Sequence, residues 1–446
     1  MMPMQGLQVG MVIAKDYAWN MLKLTGARRS HFGVLSFAGT GHLNPIMTLA
    51  RHLVRRGHRV TFFHTSDLEE KILQNGLEFA SIGSVEDAGV RLIRPARKAG
   101  VAALRYRVHR TVAEMEQVLR GAPEAMRRAG VDALLIDEIA MAGPTVAEIM
   151  KRPYFIISTS VPHNFGWSSP NRFTPRLSCV ARLQRALLEV STVRMQGPVR
   201  FRLDRFRGSV GLDLVARMKN THPALAHITQ LPRCLDYPRS VLPENFYYCG
   251  PFVDDARAPA DFPWHRLDGR RLVYASLGST LKGDAATFRM IAEACSRTQL
   301  QLVLSLGGRR DPQMFQDLPG SPVVVSDAPQ LEILKKAEVV ITHAGPNTVF
   351  ETLLQGKPMI ALPTAFDQPA VAARLERAGA GIVLPIARLS SAKIAGAIHK
   401  VLSEPTFRTA AQCLQREMLS VQGLSLAGDI IETALQQDAH RRAISA

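Results

Sequence analysis

Residues 328–369 read APQLEILKKAEVVITHAGPNTVFETLLQGKPMIALPTAFDQP, and this stretch decides the fold. An apolar run ends at Thr342-His343, helical spacing begins near Asn347, and a second apolar run covers residues 359–362. A turn from a buried strand into a helix exposes free backbone N–H groups and the positive end of the helix dipole, which attract phosphate oxygens. The pattern therefore predicts a unit of parallel sheet with an anion site at its carboxyl end.

The same stretch carries side chains that a nucleotide-sugar requires. The groups able to bind phosphates stand at the strand-to-helix turn: His343, Gly345, Asn347 and Thr348. Glu351 follows one helical turn later, where it can accept from two sugar hydroxyls, and Asp367-Gln368 comes just beyond the next strand. Taken singly, these are an ordinary strand-end histidine and an ordinary helix N-cap. The whole string in register favours a nucleotide-sugar site.

Alternating strand and helix patterns extend outward from this stretch. Strands are predicted at residues 31–38, 60–64, 77–82, 133–137, 154–158, 272–276, 301–306, 323–326, 339–343, 359–362 and 382–384. Helical spacing lies between most of them, as in residues 43–56, which Gly57 terminates as a natural C-cap. The alternation predicts an α/β protein of two doubly wound, parallel-sheet, Rossmann-like domains that face each other across a cleft.

The chain divides into an extension, two domains and a linker. Residues 1–30 follow no strand or helix pattern and are predicted to be a disordered N-terminal extension. Residues 31–250 form the first domain, which is predicted to bind the molecule that accepts the sugar and to carry the catalytic base, His42, described below. Residues 251–268, rich in Pro, Asp and Ala, form the linker, and residues 269–446 form the second domain. Its last helix is predicted to return to the first domain.

Composition limits the classes of protein to which the chain can belong. Of 446 residues, 46% are hydrophobic and 21% charged, and no run approaches the roughly 20 apolar residues that cross a bilayer. The five cysteines form no C-x-x-C pair, which argues against a disulfide scaffold and a zinc site and favours a cytoplasmic protein. The favoured explanation of the net charge of +17 is an arginine-rich proteome, and the second is peripheral contact with the inner face of a membrane. Nucleic-acid binding is the least favoured explanation of the charge, because the sequence contains no nucleic-acid-binding motif.

A second motif stands near the start of the first domain, where residues 39–45 read GTGHLNP between strand and helix. His42 is placed to face the cleft. A hydroxyl that attacks the anomeric carbon of a sugar must lose its proton, and a histidine with a pKa of about 6.5 suits that task. Such a base is typically oriented by a carboxylate. Asp137, at the end of a strand, is the predicted partner, and the neighbouring Glu138 is the alternative.

These motifs resemble the nucleotide-sugar signature of the UDP-glycosyltransferase family, the inverting GT-B enzymes. The family pattern is A-P-Q, then H-x-G-x-N-S/T-x-x-E, then P-x-x-x-D/E-Q, and this chain matches each part. Plant members have Trp at two positions where this chain has Asp327 and Pro346. Residues 142–148 and 235–246 look most similar to bacterial zeaxanthin glucosyltransferases, whereas the GTGHLNP loop looks more like the macrolide and sterol branches.

The resemblance implies a role for each matched residue. Those expected near the uracil and ribose are Ala328, Gln330 and Glu351. Those expected on the diphosphate are Ser279, His343, Gly345, Asn347 and Thr348, and those on the sugar hydroxyls are Asp367 and Gln368. His42 and Asp137 take the places of the family's catalytic dyad. The implied substrates are a UDP-sugar, with glucose as the sugar, and a small lipophilic acceptor such as a hydroxylated carotenoid.

Several alternatives stay open beside this interpretation. The alternative acceptors, ranked after the carotenoid, are a macrolide or other polyketide, a sterol and a flavonoid. A nucleotide-sugar binding protein without turnover is disfavoured by the presence of both His42 and Asp137. A Rossmann-type oxidoreductase is disfavoured because GTGHLN lacks the third glycine of the dinucleotide fingerprint. No Asp-x-Asp motif stands in a suitable place, so we expect no metal ion, and we also expect no cofactor, no nucleic acid and no obligate protein partner.

Overall fold

The computed structural model describes residues 29–83, 101–162, 197–215, 222–239, 242–254, 261–278, 285–308 and 310–445. Almost all of the predicted extension, residues 1–28, lies outside this part, and so does Ser279. Within the described part, two parallel sheets with helices packed around them confirm the predicted α/β fold class. No helix there combines the length and the apolar character needed to span a bilayer.

The first domain is built on a seven-stranded sheet in the order β3-β2-β1-β4-β5-β6-β7, and every pair of neighbours is parallel. Its strands are β1 (His31–Leu35), β2 (Arg59–His64), β3 (Glu78–Ser81), β4 (Ala133–Asp137), β5 (Tyr154–Ser158), β6 (Ala226–Thr229) and β7 (Phe246–Tyr248). Its helices are α1 (Thr40–Arg55), α2 (Glu69–Gln74), α3 (Val101–Ala129), α4 (Gly143–Met150) and α5 (197–209).

The second domain repeats the plan with a six-stranded sheet in the order β10-β9-β8-β11-β12-β13. Its strands are β8 (Leu272–Ser276), β9 (Gln301–Ser305), β10 (Val323–Val325), β11 (Ala337–Thr342), β12 (Met359–Ala361) and β13 (Gly381–Val383). Its helices are α6 (Ala285–Arg297), α7 (Gln330–Lys336), α8 (Pro346–Leu354), α9 (Gln368–Arg377), α10 (Ser391–Ser403), α11 (Pro405–Val421) and α12 (Gly423–Ser445).

The central strands are buried on both faces, which explains their continuous apolar runs. All five residues of β1 are buried, and their side chains alternate between two hydrophobic clusters. Phe32 and Val34 enter the cluster that contains α1, whereas Leu35 enters the cluster that contains α3. Helix α1 ends where Gly57 adopts a φ of 94°, a conformation that favours glycine.

Helix α12 belongs to the second domain by sequence but packs on the first. Ala427, Ile430 and Ile431 are buried in the same hydrophobic cluster as α1. Arg56, at the end of α1, donates to Glu432 at 2.7 and 2.6 Å and to Asp429 at 2.6 Å. The last helix therefore joins the two domains at a point distant in sequence from the linker.

Two strands of the first sheet have no counterpart in the sequence-based prediction. Strands β6 (AHIT) and β7 (FYY) contain four and three residues and lack the aliphatic runs that mark the equally short β10 (VVV) and β12 (MIA). They extend the sheet beyond β5 and bring the loop after Thr229 to its carboxyl edge. Strand β1 also ends at Leu35 rather than at Ala38, because the chain turns at that point toward α1.

Candidate active site

In each of the two sheets the direction of winding reverses at one pair of strands, and the predicted functional loops follow these strands. In the first sheet β1 lies between β2 and β4, and in the second β8 lies between β9 and β11, so the direction of winding reverses at the β1/β4 and β8/β11 pairs. Ligands of open parallel sheets bind beyond the carboxyl ends of the strands at such reversals. The GTGHLNP loop follows β1 and Asp137 ends β4, while His343 follows β11. The predicted functional residues therefore stand at both reversal points.

His42 and Asp137 form a hydrogen-bonded pair at the first reversal point. The Nδ1 atom of His42 lies 2.9 Å from Oδ2 of Asp137 and 2.8 Å from Oγ1 of Thr159. Asp137 is fully buried, and its carboxylate also accepts from the backbone N–H groups of Phe37 and Ile139. Because a carboxylate can only accept, Nδ1 carries the proton, and Nε2 keeps its lone pair. Nε2 makes no hydrogen bond to any described residue.

The electrostatic surroundings make His42 more basic than an isolated histidine. Burial alone would lower the pKa of His42, but the carboxylates of Asp137, Asp367 and Glu138 outweigh that effect and raise the pKa above its ordinary value of 6.5. The side chain remains 22% exposed, so a ligand can reach it. The pair can accept a proton at Nε2 and stabilise the resulting imidazolium through Asp137.

Glu138, the alternative partner, has a different role in the structure. Its Oε2 atom accepts a 2.6 Å hydrogen bond from the hydroxyl of Ser158. The side chain that contacts the imidazole of His42 is that of Asp137.

His343 occupies the second reversal point, enclosed by two glycines. A Cβ atom on Gly278 would lie 2.5 Å from Nε2 of His343, and one on Gly345 would lie 2.6 Å from it. Gly345 has an ordinary φ of −62°, so its lack of a side chain makes room for the imidazole. The contact with His343 is thus one structural reason for a glycine at position 345. Ala344, between His343 and Gly345, has a φ of 63°, a strained conformation of a kind common at functional sites.

His343 is neutral near pH 7. Burial lowers its pKa below 6.5, and the backbone carbonyl of Ser276 and the Asp367 carboxylate only partly oppose this effect. A neutral imidazole offers one N–H donor. It lies beside the start of α8, whose first N–H groups have no partners within the helix. This turn can therefore bind an anion.

Gln330 and Glu351 are linked to each other beside Tyr274. The amide of Gln330 donates to Oε2 of Glu351 at 2.7 Å, and its oxygen accepts from the Tyr274 hydroxyl at 3.0 Å. Glu351 is 1% exposed. Burial raises the pKa of Tyr274 to about 12, so its hydroxyl stays protonated and can donate a hydrogen bond. Ala328 packs half-buried against the same domain core, and Thr348 is buried in the first turn of α8.

Asn347 reaches across the gap between the domains. Its Nδ2 atom donates to the backbone carbonyl of Gly41 at 3.0 Å, and its Oδ1 atom accepts from Gln230 at 2.9 Å. The sequence predicts a side-chain donor to phosphate at this position. In the structure these two contacts join the side chain to two segments of the first domain, and the phosphate contact stays a prediction.

Asp367 and Gln368 stand at the beginning of α9. Asp367 is the N-cap residue, yet its side chain makes no capping bond and accepts instead from the hydroxyl of Ser160 in the first domain. The Oε1 atom of Gln368 accepts from the backbone of Thr364 and Ala365 at 2.9 and 3.0 Å. That leaves its Nε2 group as a donor without a partner among the described residues.

The structure brings the predicted residues together, with one outside its described part. The negative charge of Asp367 raises the pKa of both His42 and His343, so this carboxylate lies close enough to act on both histidines. Ser279 lies outside the described residues. Sequence reasoning missed three polar residues at the same edge, and they are Thr159, Ser160 and Gln230. Their signal was position, since each lies just beyond the end of a buried strand.

Comparison with known proteins identifies the family. A family model described as UDP-glucoronosyl and UDP-glucosyl transferase matches residues 117–417, and the glycosyltransferase family 28 N-terminal domain matches residues 34–159. The zeaxanthin glucosyltransferase of Pantoea ananas is 29% identical over 421 residues, which cover 91% of this chain and 96% of that protein. The NDP-glycosyltransferase YjiC of Bacillus licheniformis is 26% identical over 410 residues, which cover 91% of this chain and 98% of that protein.

A solved structure with the same fold is that of the calicheamicin glycosyltransferase CalG4. Its TM-score is 0.75 at 24% identity, and the match covers 92% of this chain and 99% of that one. The likeness confirms the two-domain GT-B fold expected from the sequence. The first family model matches more than half of the chain. The chain therefore belongs to the UDP-glucoronosyl and UDP-glucosyl transferase family, and it is a glycosyltransferase that uses a nucleotide-sugar.

Proposed function

We propose that the chain moves glucose from UDP-glucose to a hydroxyl of a lipophilic acceptor, a carotenoid such as zeaxanthin, with inversion at the anomeric carbon and without a metal ion. The observation that carries this proposal is the 2.9 Å contact between Nδ1 of His42 and Oδ2 of Asp137. It supports a base that is oriented through one ring nitrogen and free to react at the other.

The reaction is a single displacement. The acceptor oxygen attacks the anomeric carbon, the bond from that carbon to the diphosphate oxygen breaks, and its electron pair leaves with UDP. The hydroxyl proton passes to Nε2 of His42, and the Asp137 carboxylate stabilises the imidazolium. Because no protein nucleophile intervenes, the displacement inverts the configuration.

The leaving diphosphate is stabilised by neutral donors and a helix dipole. We assign the diphosphate to the free N–H groups at the start of α8, with the imidazole of His343 beside them. Glu351 and Gln330 bind the ribose and the uracil, and Ala328 lies beside them. Asp367 and Gln368 bind the sugar hydroxyls, through a carboxylate and the Nε2 group respectively. The N–H donors and the helix dipole at the start of α8 take the place of the positive charge that a metal ion would supply to the diphosphate.

The lipophilic acceptor is supported by a partly exposed aromatic ring beside the base and by the relatives. The ring of Phe37 meets the imidazole of His42 edge-on, with ring centroids 5.5 Å apart, and 38% of this residue is exposed. The similarity to a zeaxanthin glucosyltransferase over 91% of the chain favours a hydroxylated carotenoid. A macrolide or other polyketide, a sterol or a flavonoid is the alternative, favoured by the GTGHLNP loop.

An acceptor panel tests this proposal. The protein is incubated with UDP-glucose and, separately, zeaxanthin, a macrolide, a sterol and a flavonoid, and products are identified by mass. β-Carotene, which lacks the hydroxyls of zeaxanthin, is the matched control. We expect a hexose adduct of zeaxanthin and none of β-carotene, with a β-linked anomeric proton by NMR. An adduct confined to another acceptor would overturn the carotenoid assignment, and an α-linked product would overturn inversion.

A further inference from the structure

A buried charged cluster lies where the two domains meet, away from the two histidines. Asp236, in the loop after β6, is 1% exposed at its side chain. Its Oδ1 atom accepts from Nε and Nη2 of Arg374 at 3.0 and 2.8 Å. Its Oδ2 atom accepts from Arg239 at 2.6 Å and from the Tyr248 hydroxyl at 2.7 Å. A single carboxylate of the first domain thus holds an arginine of the second.

Stacking and backbone contacts reinforce this junction. The guanidinium groups of Arg374 and Arg377 lie 4.6 and 4.7 Å from the ring centroid of Tyr237. Arg377 also donates to the backbone carbonyl of Asp236 at 2.6 Å. Leu235, which precedes Asp236 in the loop, is buried in the same hydrophobic cluster as the core of the second domain. Ionic, aromatic and apolar contacts therefore coincide at one loop.

Helix α9 carries this junction at one end and the proposed sugar subsite at the other. Arg374 lies six residues after Gln368, which is about 9 Å along a helix. At the opposite end, Asp367 accepts from Ser160 of the first domain. A helix that belongs to the second domain is thus bound to the first domain at both ends. Any shift of its Arg374 end would be transmitted to Asp367, since an α-helix moves as a rigid rod over this length.

We propose that Asp236 is a positioning residue for sugar transfer, which fixes helix α9 through Arg374 so that Asp367 and Gln368 meet the sugar at a set distance from His42. This inference rests on the proposed function of Asp367 and Gln368. Asp236 touches no reacting atom. Its effect is on orientation, where an error of about 1 Å can cost on the order of 100-fold in rate. The carboxylate stays ionised because Arg239 and Arg374 lower its pKa against the opposing effect of burial.

Two variants and a matched control test the proposal in the full-length enzyme. Asp236→Asn removes the charge, and Arg374→Lys keeps a charge but loses the bidentate contact and the stacking. The control is Arg207→Lys, because Arg207 is also fully buried and pairs with Glu148 at 2.7 Å within the first domain. Three quantities are measured: the dissociation constant of UDP, kcat for transfer, and the ratio of kcat/KM for UDP-glucose over UDP-galactose, which differ in the orientation of one hydroxyl.

We expect at least a tenfold loss of kcat and a lower donor ratio in both cluster variants, with UDP binding within about twofold of the wild type. Arg207→Lys should lower thermal stability while keeping kcat and the donor ratio. Wild-type kcat and donor ratio in a folded Asp236→Asn or Arg374→Lys enzyme would overturn the proposal, and so would loss of UDP binding in parallel with kcat. Absence of transfer from UDP-glucose by the wild-type enzyme would instead contradict the proposed function itself.

Discussion

The side-chain amide of Asn347 donates a hydrogen bond of 3.0 Å to the backbone carbonyl of Gly41. Gly41 immediately precedes His42, and Asn347 follows His343 by four residues. The bond therefore joins the first turn of α1, which carries the proposed base, to the turn that binds the proposed leaving group. An alcohol activated by His42 and a sugar held by the second domain can meet only if these two segments adjoin.

Asp137→Asn should lower kcat/KM by roughly 10²- to 10⁴-fold, because an amide neither fixes the tautomer of His42 nor stabilises its imidazolium. Transfer requires neutral His42, so activity should fall as the pH drops through a pKa raised above 6.5. In the variant the residual activity should persist to lower pH, since the raising effect of Asp137 is lost. A pH profile of kcat/KM for both enzymes checks this. An acidic limb at the same pH in both would contradict it.

Gly345→Ala should weaken donor binding at least tenfold, because the new Cβ would lie 2.6 Å from Nε2 of His343 and displace the imidazole. The φ of −62° is open to alanine, so the effect comes from the collision alone. Gly396→Ala is the matched control, since no atom lies within 4 Å of its added Cβ. Isothermal titration with UDP measures both. Equal affinity in the two variants would refute the arrangement around His343.

The fold could largely be predicted from the sequence, because its signals are local. Each of the eleven predicted strand runs overlaps an observed strand, and buried parallel strands leave continuous apolar runs. Strands β6 and β7 were not predicted because neither carries such an aliphatic run, and they become strands by pairing in sequence beyond β5.

The site could be predicted only as far as its motifs extend. His42 and Asp137 are 95 residues apart, and both were recognisable because each ends or follows a buried strand. The bond from Ser160 to Asp367 spans 207 residues and depends on how two separate domains approach. Nothing local in either segment encodes that distance, and the same holds for Asp236 with Arg374. Gly345 was recognisable as part of the motif, whereas its contact with the ring of His343 was not.

Glu432→Gln should lower the free energy of unfolding by about 1–3 kcal/mol at pH 7, because Glu432 accepts from Arg56 and His58 and ties α12 to the first domain. Burial would raise the pKa of Glu432, but these two partners lower it from 4.5 to about 2. A depressed pKa contributes stability above pH 4.5 that is lost as the pH falls toward 2. Urea denaturation from pH 7 to pH 2 should show the two proteins converging.

The control for that measurement is Glu124→Gln. Glu124 pairs with Arg127, but their side chains are 59% and 54% exposed, so we expect a change below about 1 kcal/mol. A loss as large as that of Glu432→Gln would contradict the special role of the α12 contact.

Transfer should proceed at an unchanged rate in the presence of EDTA. No group of three His, Cys, Asp or Glu side chains suited to a metal ion occurs in the described ranges, and the proposed leaving-group donors are His343 and the start of α8. Initial rates of product formation, with and without EDTA and then with added Mg²⁺, check this. Activity that EDTA abolishes and Mg²⁺ restores would contradict metal independence.

The most direct test of the central claim compares sugar transfer and UDP-sugar binding in His42→Ala and wild-type protein. If His42 removes the acceptor proton, the variant should bind UDP-glucose with the affinity of the wild type while its kcat falls by at least about 10²-fold. Transfer by His42→Ala at a rate near that of the wild type would contradict the claim.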